Sequence, residues 1–246
     1  MHPKVISDIL KEILEVILEA LPKAILEETL EATIEEILEN REAIFDNIAE
    51  ALDNISEAIS EYTRPLKLKA VKQFMTEQVE ALPNEQKQAL SNYTGFDATQ
   101  INTAIRHHRI TPEIQRKIDL LDKALKNGVM PATVTLHRDT SFSFIATQLE
   151  LPAKPTEEEL SKSINRIVVN PIFTSTSFEN LGLVGRNTQL WLTIPAGYRG
   201  CQFIQPVARP KFKNQVEVLF ARGMRFKITK AKIENGKYIL WAEVLL

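Results

Sequence analysis

Two polar residues stand at the start of an apolar run in KFKNQVEVLFARG, residues 211–223: Gln215 and Glu217, with Val216 between them and Val218, Leu219 and Phe220 after. If the run is a strand, successive side chains alternate faces, so Gln215 and Glu217 point one way and Val216 and Val218 the other. Such a pair is either the wet face of an antiparallel strand or an amide and a carboxylate presented together to a ligand. Three further groupings invite the same question. Arg138 ends the apolar stretch TVTLHR, Ser175-Thr176-Ser177 closes another in FTSTSF, and Leu183-Val184-Gly185-Arg186 follows in a loop. Phe212 stands three residues before Gln215. Each feature alone is common: a strand-end arginine is usually a surface cation, and an STS triplet is usually turn chemistry.

The elements that would hold these residues change character along the chain. From Pro65, LKAVKQFMTEQVEAL reads as a helix, NEQKQALSNYTG as a second ending at Gly95, and DATQINTAIRHHR as a third capped by Asp97. TPEIQRKIDLLDKALKNG makes a fourth, with Thr111, Pro112 and Glu113 as its start and Gly128 as its stop. After Pro131 the runs become β-branched and aromatic: 133–138, 166–178, 188–197, 201–208, 216–233 and 238–246. Helices followed by strands predict an α+β domain with sheets built largely from antiparallel strands.

Residues 1–62 differ from this body. Leu30, Ile34, Ile37, Ile44, Ile48, Leu52, Ile55 and Ile59 recur in steps of three, four and seven, an apolar stripe on helices broken near Pro22 and at Asn40-Arg41. The segment carries 16 acidic against 4 basic residues, whereas 63–246 carries 16 acidic against 26 basic. An acidic amphipathic helical appendage over 1–62 therefore precedes a basic body that suits an anionic ligand. The acidic face argues against an anionic membrane surface, and no apolar run of about 18 residues spans a bilayer. MHPKVISDILKE has no uninterrupted apolar core, so no signal peptide is read there. Four histidines and one cysteine form no metal-ligand pattern, and the single cysteine excludes an internal disulfide. None of the eight glycines falls in a G-x-G-x-x-G arrangement, so a Rossmann crevice is absent. The basic body also lacks the aromatic-basic interleaving of a nucleic-acid binder.

Arginine on a first strand, STS on a second and Gln-x-Glu opening a later one resembles the R-S-E class of bacterial ADP-ribosyltransferase exoenzymes. SNYTGFDATQINTAIR is similar to that family's helix pair, KIDLLDKAL to its next helix, and EVLFARGMRFKI to its strand after the catalytic glutamate. The resemblance covers roughly 65–246, which it makes the catalytic domain, and says nothing about 1–62. It implies a two-sheet, mainly antiparallel β core and NAD as substrate, held in a cleft between the two sheets, with no metal. It implies a toxin or effector, secreted or delivered into a host cell, that acts on a host protein such as a small GTPase or a cytoskeletal protein. The Gln-x-Glu form resembles the subgroup that modifies asparagine on Rho-type GTPases, although some of its members attack other side chains.

The roles implied are chemically coherent. Breaking the bond between nicotinamide and ribose creates an oxocarbenium-like centre, which the Glu217 carboxylate would stabilise. Gln215 would offer its amide to the incoming nucleophile. Ser175 would brace the cleft and orient Glu217. Arg138 and Arg186 would clamp the pyrophosphate through charge-assisted hydrogen bonds. Asn102 and Arg106, four apart on one helix face, match positions near the cofactor, and Phe212 matches an aromatic that meets the protein target. Two positions depart from the family: Asp139, whose backbone N–H and C=O would still meet the cofactor, stands where a glycine is usual, and Leu183 where an aromatic is frequent. Two other readings compete with transfer to protein: an NAD glycohydrolase, and a non-catalytic binding or assembly module that reuses the fold.

Overall fold

The change from a period of 3.6 to a period of 2 near Pro131 marks the first strand in the structure, although two short helices with no counterpart among the expected elements lie beyond it. The computed structural model describes residues 67–246 and Asn54. The helices expected within 1–62 lie, that residue apart, outside the described residues. First come α1 over 67–80, α2 (Asn84–Asn92), α3 (Ala98–Arg106) and α4 (Pro112–Lys126). Strand β1 (Val134–Thr140) is followed by two short helices, α5 (Phe142–Leu149) and α6 (Glu157–Ser161). Seven strands complete the chain: β2 (Ile167–Asn170), β3 (Thr174–Ser177), β4 (Thr188–Ile194), β5 (Cys201–Phe203), β6 (Glu217–Phe220), β7 (Met224–Glu234) and β8 (Lys237–Val244). Among the described residues no helix is long and apolar enough to cross a membrane.

Helix α4 begins where its sequence says. The Thr111 hydroxyl accepts from the Ile114 amide at 3.3 Å, and Pro112 takes the first helical position. Beyond its end, a Cβ on Gly128 would lie 1.8 Å from the Cys201 carbonyl oxygen, so β5 can approach this backbone only because the residue is glycine. The junction of α2 and α3 departs from expectation. Helix α2 stops at Asn92, and Tyr93–Asp97 winds on as a π-type turn in which Gly95 leaves helical geometry (φ −113°, ψ −129°). Asp97 caps nothing; its carboxylate instead accepts from Lys117 Nζ at 3.0 Å, a cation supplied by α4.

Two of the expected strands are each two strands. Residues 166–178 break at Pro171, which lacks the N–H a continuing ladder needs, into β2 and β3. Residues 216–233 break at Gly223, whose φ of 81° interrupts the extended run between β6 and β7. The expected pair of sheets is likewise corrected. All eight strands form one sheet in the order β2-β7-β8-β4-β1-β3-β6-β5, antiparallel except between β4 and β8. A five-strand part meets a three-strand part at β1 and β3, where the register holds a single pair, His137 opposite Ser177. Hydrogen bonding is continuous across that seam, but barely, which is why local patterning could not distinguish one sheet from two.

Alternation along the strands builds the core. Leu136, Leu190, Leu192, Leu240, Phe226 and Ile228 turn to one face and pack with Phe142, Ile145 and Leu149 of α5. A register shift between Ile228 and Lys230 lets Ala231 and Ile233 resume that face. A second cluster joins α2–α4, through Leu90, Ile101, Ile118 and Leu121, to Phe173, Ile204 and Leu219. Strand β6 lies between the two, sending Val218 and Phe220 into the first and Leu219 into the second. All four of its residues are buried, and each apolar one contributes about 1.5–3 kcal/mol of burial energy. At the outer edge, the Gln148 side chain donates to the Val169 carbonyl and accepts from its amide, at 2.8 and 2.9 Å, covering part of β2 that would otherwise be open to pairing.

Candidate active site

Glu217 is the first residue of β6, and only 6 % of it is exposed. A strand wrapped on both faces cannot offer its end residue to water, so burial raises the carboxyl pKa above its usual range. A hydrogen bond with Ser175 and the charge of Arg138 pull it part of the way back. Ser175, on β3, lies opposite Leu219. Arg138 crosses the seam, its Nη1 donating to the Ser175 carbonyl at 2.5 Å. Burial lowers the Arg138 pKa; Tyr93 and Glu217 favour its charge, and Arg106 and Arg186 oppose it.

Gln215 does not share a strand face with Glu217, and that expectation is corrected. It ends a 3-10 turn, Pro210–Gln215, and Val216 follows in the left-handed region at φ 47°, ψ 45°. The turn, and not strand alternation, brings Gln215 round so that it borders the same hollow as Glu217. Ser177 fastens the junction: its hydroxyl donates to the Gln215 carbonyl at 2.7 Å and accepts from the Glu179 amide at 3.0 Å.

Two adjoining hollows open here. A cavity of about 200 Å³ is bordered by Arg138, Asp139, Ser175, Arg186, Gln215 and Glu217. A second, of about 950 Å³, is bordered by Asn102 and Arg106 and shares Arg138, Asp139 and Arg186 with the first. Eight of the nine residues singled out from sequence therefore meet around one continuous depression. It runs along the seam of a single sheet and up to α3, not between two sheets. Phe212 borders neither hollow; it is half-buried on the turn, with Lys211 Nζ 4.7 Å from its ring centroid.

Asp139 turns its charge aside, because its Oδ2 accepts from the Leu183 amide at 2.9 Å. Asn102 Nδ2 donates to the Tyr93 hydroxyl at 2.9 Å and to the Phe173 carbonyl at 3.3 Å. Burial pushes the Tyr93 pKa up to about 12, which keeps the phenol neutral beside Glu217. Tyr93 and Ser177 stand in the sequence only within the SNYTG and STS motifs, with no role of their own, and the cleft-lining His137 was not singled out. The YT of SNYTG and the last residue of STS were the available signals.

The residues fit a dinucleotide. Arg106, Arg138 and Arg186 make no direct ion pair among the described residues, leaving three guanidinium groups for a diphosphate. Asn102 Oδ1 is buried without a hydrogen-bond partner and belongs to a residue on the larger hollow, where a ligand hydroxyl or amine would satisfy it. The model of the ADP-ribosyltransferase exoenzyme family matches residues 69–246. The chain belongs to the ADP-ribosyltransferase exoenzyme family. The exoenzyme is thus an NAD-dependent transferase of ADP-ribose.

Solved structures agree. Plx2a, an ADP-ribosyltransferase toxin from Paenibacillus larvae, is 25% identical over 72% of this chain and 94% of its own, with a TM-score of 0.62. C3stau2 from S. aureus, solved with NAD, is 21% identical over 73% and 95%, with a TM-score of 0.61. BECa, an ADP-ribosylating toxin of a C. perfringens binary enterotoxin, solved with NADH, is 19% identical over 72% of the exoenzyme and 47% of its own chain, with a TM-score of 0.60. The last two likenesses bear on the fold. No curated protein matches the exoenzyme by sequence.

Proposed function

We propose that the domain over 65–246 transfers ADP-ribose from NAD to a side chain, asparagine or arginine, of a host protein. On this reading the chain is a secreted or host-delivered effector, and residues 1–62 are a separate acidic appendage. Arg138 and Arg186 hold the pyrophosphate, with Arg106 and Asn102 toward the other end of the dinucleotide. NAD supplies a glycosidic bond whose nicotinamide departs with the bonding electron pair. Glu217 faces the ribose and stabilises the positive charge that develops there, and Ser175 keeps the carboxylate oriented. Gln215 presents its amide to the acceptor nitrogen, and Phe212, further out on the turn, meets the target protein. The Gln-x-Glu form favours asparagine on a Rho-type GTPase as the acceptor, with a cytoskeletal protein as the other candidate class.

The observation that carries this reading is the placement of Glu217: a carboxylate sunk at the strand end, beside Ser175 on the border of an arginine-lined depression. Labelled NAD incubated with a host-cell lysate tests it. A labelled protein band that depends on Glu217 supports transfer, and mass spectrometry of that band gives target and modified atom. Free ADP-ribose released at one rate with and without lysate would instead establish a glycohydrolase.

A further inference from the structure

The turn that carries Phe212 and Gln215 is anchored at both ends. Its far end is held by Ser177, as described above. Its near end begins at Arg209, which is tied to the kinked junction of α2 and α3. The Arg209 amide donates to Thr94 Oγ1 at 3.3 Å, and its Nη2 donates to Asn92 Oδ1 at 3.2 Å. The guanidinium lies across Gly95, where a Cβ would come within 3.2 Å of Nη1 and 3.3 Å of Cζ. Thr94 is buried, and its own hydroxyl proton goes to the Ser91 carbonyl at 2.7 Å. The Arg209 carbonyl in turn accepts from the Phe212 amide at 2.8 Å. The same junction reaches inward through Tyr93, which meets Asn102 and lies near Glu217. One kink therefore touches both the carboxylate end of the cleft and the foot of the outer turn.

We propose that Arg209 is a positioning residue for the acceptor step: its clasp on Asn92, Thr94 and Gly95 sets the turn bearing Gln215 and Phe212 against the cleft, and so governs transfer to protein without governing cleavage of NAD. The inference rests on the reading above that Gln215 faces the acceptor. A residue of the NAD cleft would affect both reactions, whereas Arg209 borders neither hollow. The near end of the turn is held by the helix junction, whereas Gln205 and Ser177 hold the Lys213 and Gln215 carbonyls, so loss of the clasp frees the near end while Glu217 stays fixed by β6.

Arg209→Ala and Thr94→Val test this by removing the two halves of the clasp. Two rates are read with labelled NAD: free ADP-ribose released without acceptor, and label incorporated into protein of a host-cell lysate. The ratio of transfer to hydrolysis is expected to fall at least fivefold in each variant, with hydrolysis within twofold of the unaltered chain. Arg209→Lys, which keeps a donor for Asn92, is expected to recover part of the ratio. Hydrogen exchange at the Phe212 and Val216 amides should quicken in Arg209→Ala while exchange at the Ile204 amide, bonded to the Glu217 carbonyl, stays unchanged. A parallel fall of both rates, or an unchanged ratio, overturns the positioning role. Unaltered exchange at the turn does so independently, even where no lysate protein is labelled. Persistence of NAD cleavage in Glu217→Gln would sink the functional reading instead, whatever Arg209 does.

Discussion

The two parts of the sheet divide the labour of the fold. On one side of the seam β4, β7 and β8 run for 7, 11 and 8 residues, pair along their length and bury a leucine-rich face against α5. On the other, β3, β6 and β5 have 4, 4 and 3 residues, and their side of the seam supplies Ser175, Ser177 and Glu217 to the cleft. Long strands with one apolar face make a rigid support that can be read locally. Short strands packed on both faces can hold a carboxylate out of water, because two clusters close around them. The lesson is that stability and chemistry are segregated, and that Arg138 spans the division.

Glu217→Gln breaks the comparison most sharply on the side of chemistry. Transfer and NAD hydrolysis should both fall by about 10²–10³, the loss expected when one preorganised electrostatic group is removed. The fold should not suffer. Burial raises the Glu217 pKa in the folded chain, so the folded state binds that proton more tightly than the unfolded one. Stability from this group is therefore full below the unfolded value and declines as pH rises through the folded value. At neutral pH the neutral amide should raise Tm in thermal unfolding even as activity falls by that factor. A lowered Tm would show that the carboxylate is held by bonds stronger than its desolvation.

Arg138→Ala should act on both parts at once. Loss of a buried charge-assisted contact costs on the order of 2–5 kcal/mol. Titration calorimetry should show weakened NAD binding, and thermal unfolding a lowered Tm, since the Ser175 carbonyl loses its donor across the seam. Leu192→Ala, in the fully buried face of β4, should cost about 2–5 kcal/mol of stability by denaturant unfolding. The activity of the folded fraction should be nearly unchanged. A large drop in specific activity there would mean that the long strands do more than support.

Smaller effects sharpen the picture. As pH falls through the raised pKa of Glu217, the proposed role requires the NAD hydrolysis rate to drop about tenfold per unit, because protonation removes the charge assigned to the developing cation. The inflection should lie above that of an ordinary glutamate and vanish in Glu217→Gln. Phe212→Ala, on a residue outside both hollows, should lower transfer to lysate protein a few-fold and leave NAD hydrolysis untouched.

Much of this was legible in the sequence, for physical reasons that differ by region. Thr111-Pro112-Glu113 states a helix start in its own side chains, and the alternation of Leu190, Leu192 and Ile194 states a strand face. The pairing of Arg138, STS and Gln-x-Glu identified the cleft because a family likeness carried information from far-apart positions. What failed was what long-range geometry decides. Lys117 takes the Asp97 carboxylate that would have capped α3, and a single residue pair at the seam makes one sheet of two. A left-handed Val216 turns an apparent strand repeat into the exit of a turn. Tyr93 was given no role because only the fold brings its hydroxyl to Asn102 and within reach of the Glu217 charge.

That valine has a consequence of its own. A β-branched residue at φ 47° opposes the preference of its backbone by about 1–3 kcal/mol, yet its side chain is anchored in the main core. Glycine or asparagine there would relax the main chain and vacate the anchor, so ease of folding and aim of the neighbouring amide are in conflict at one codon.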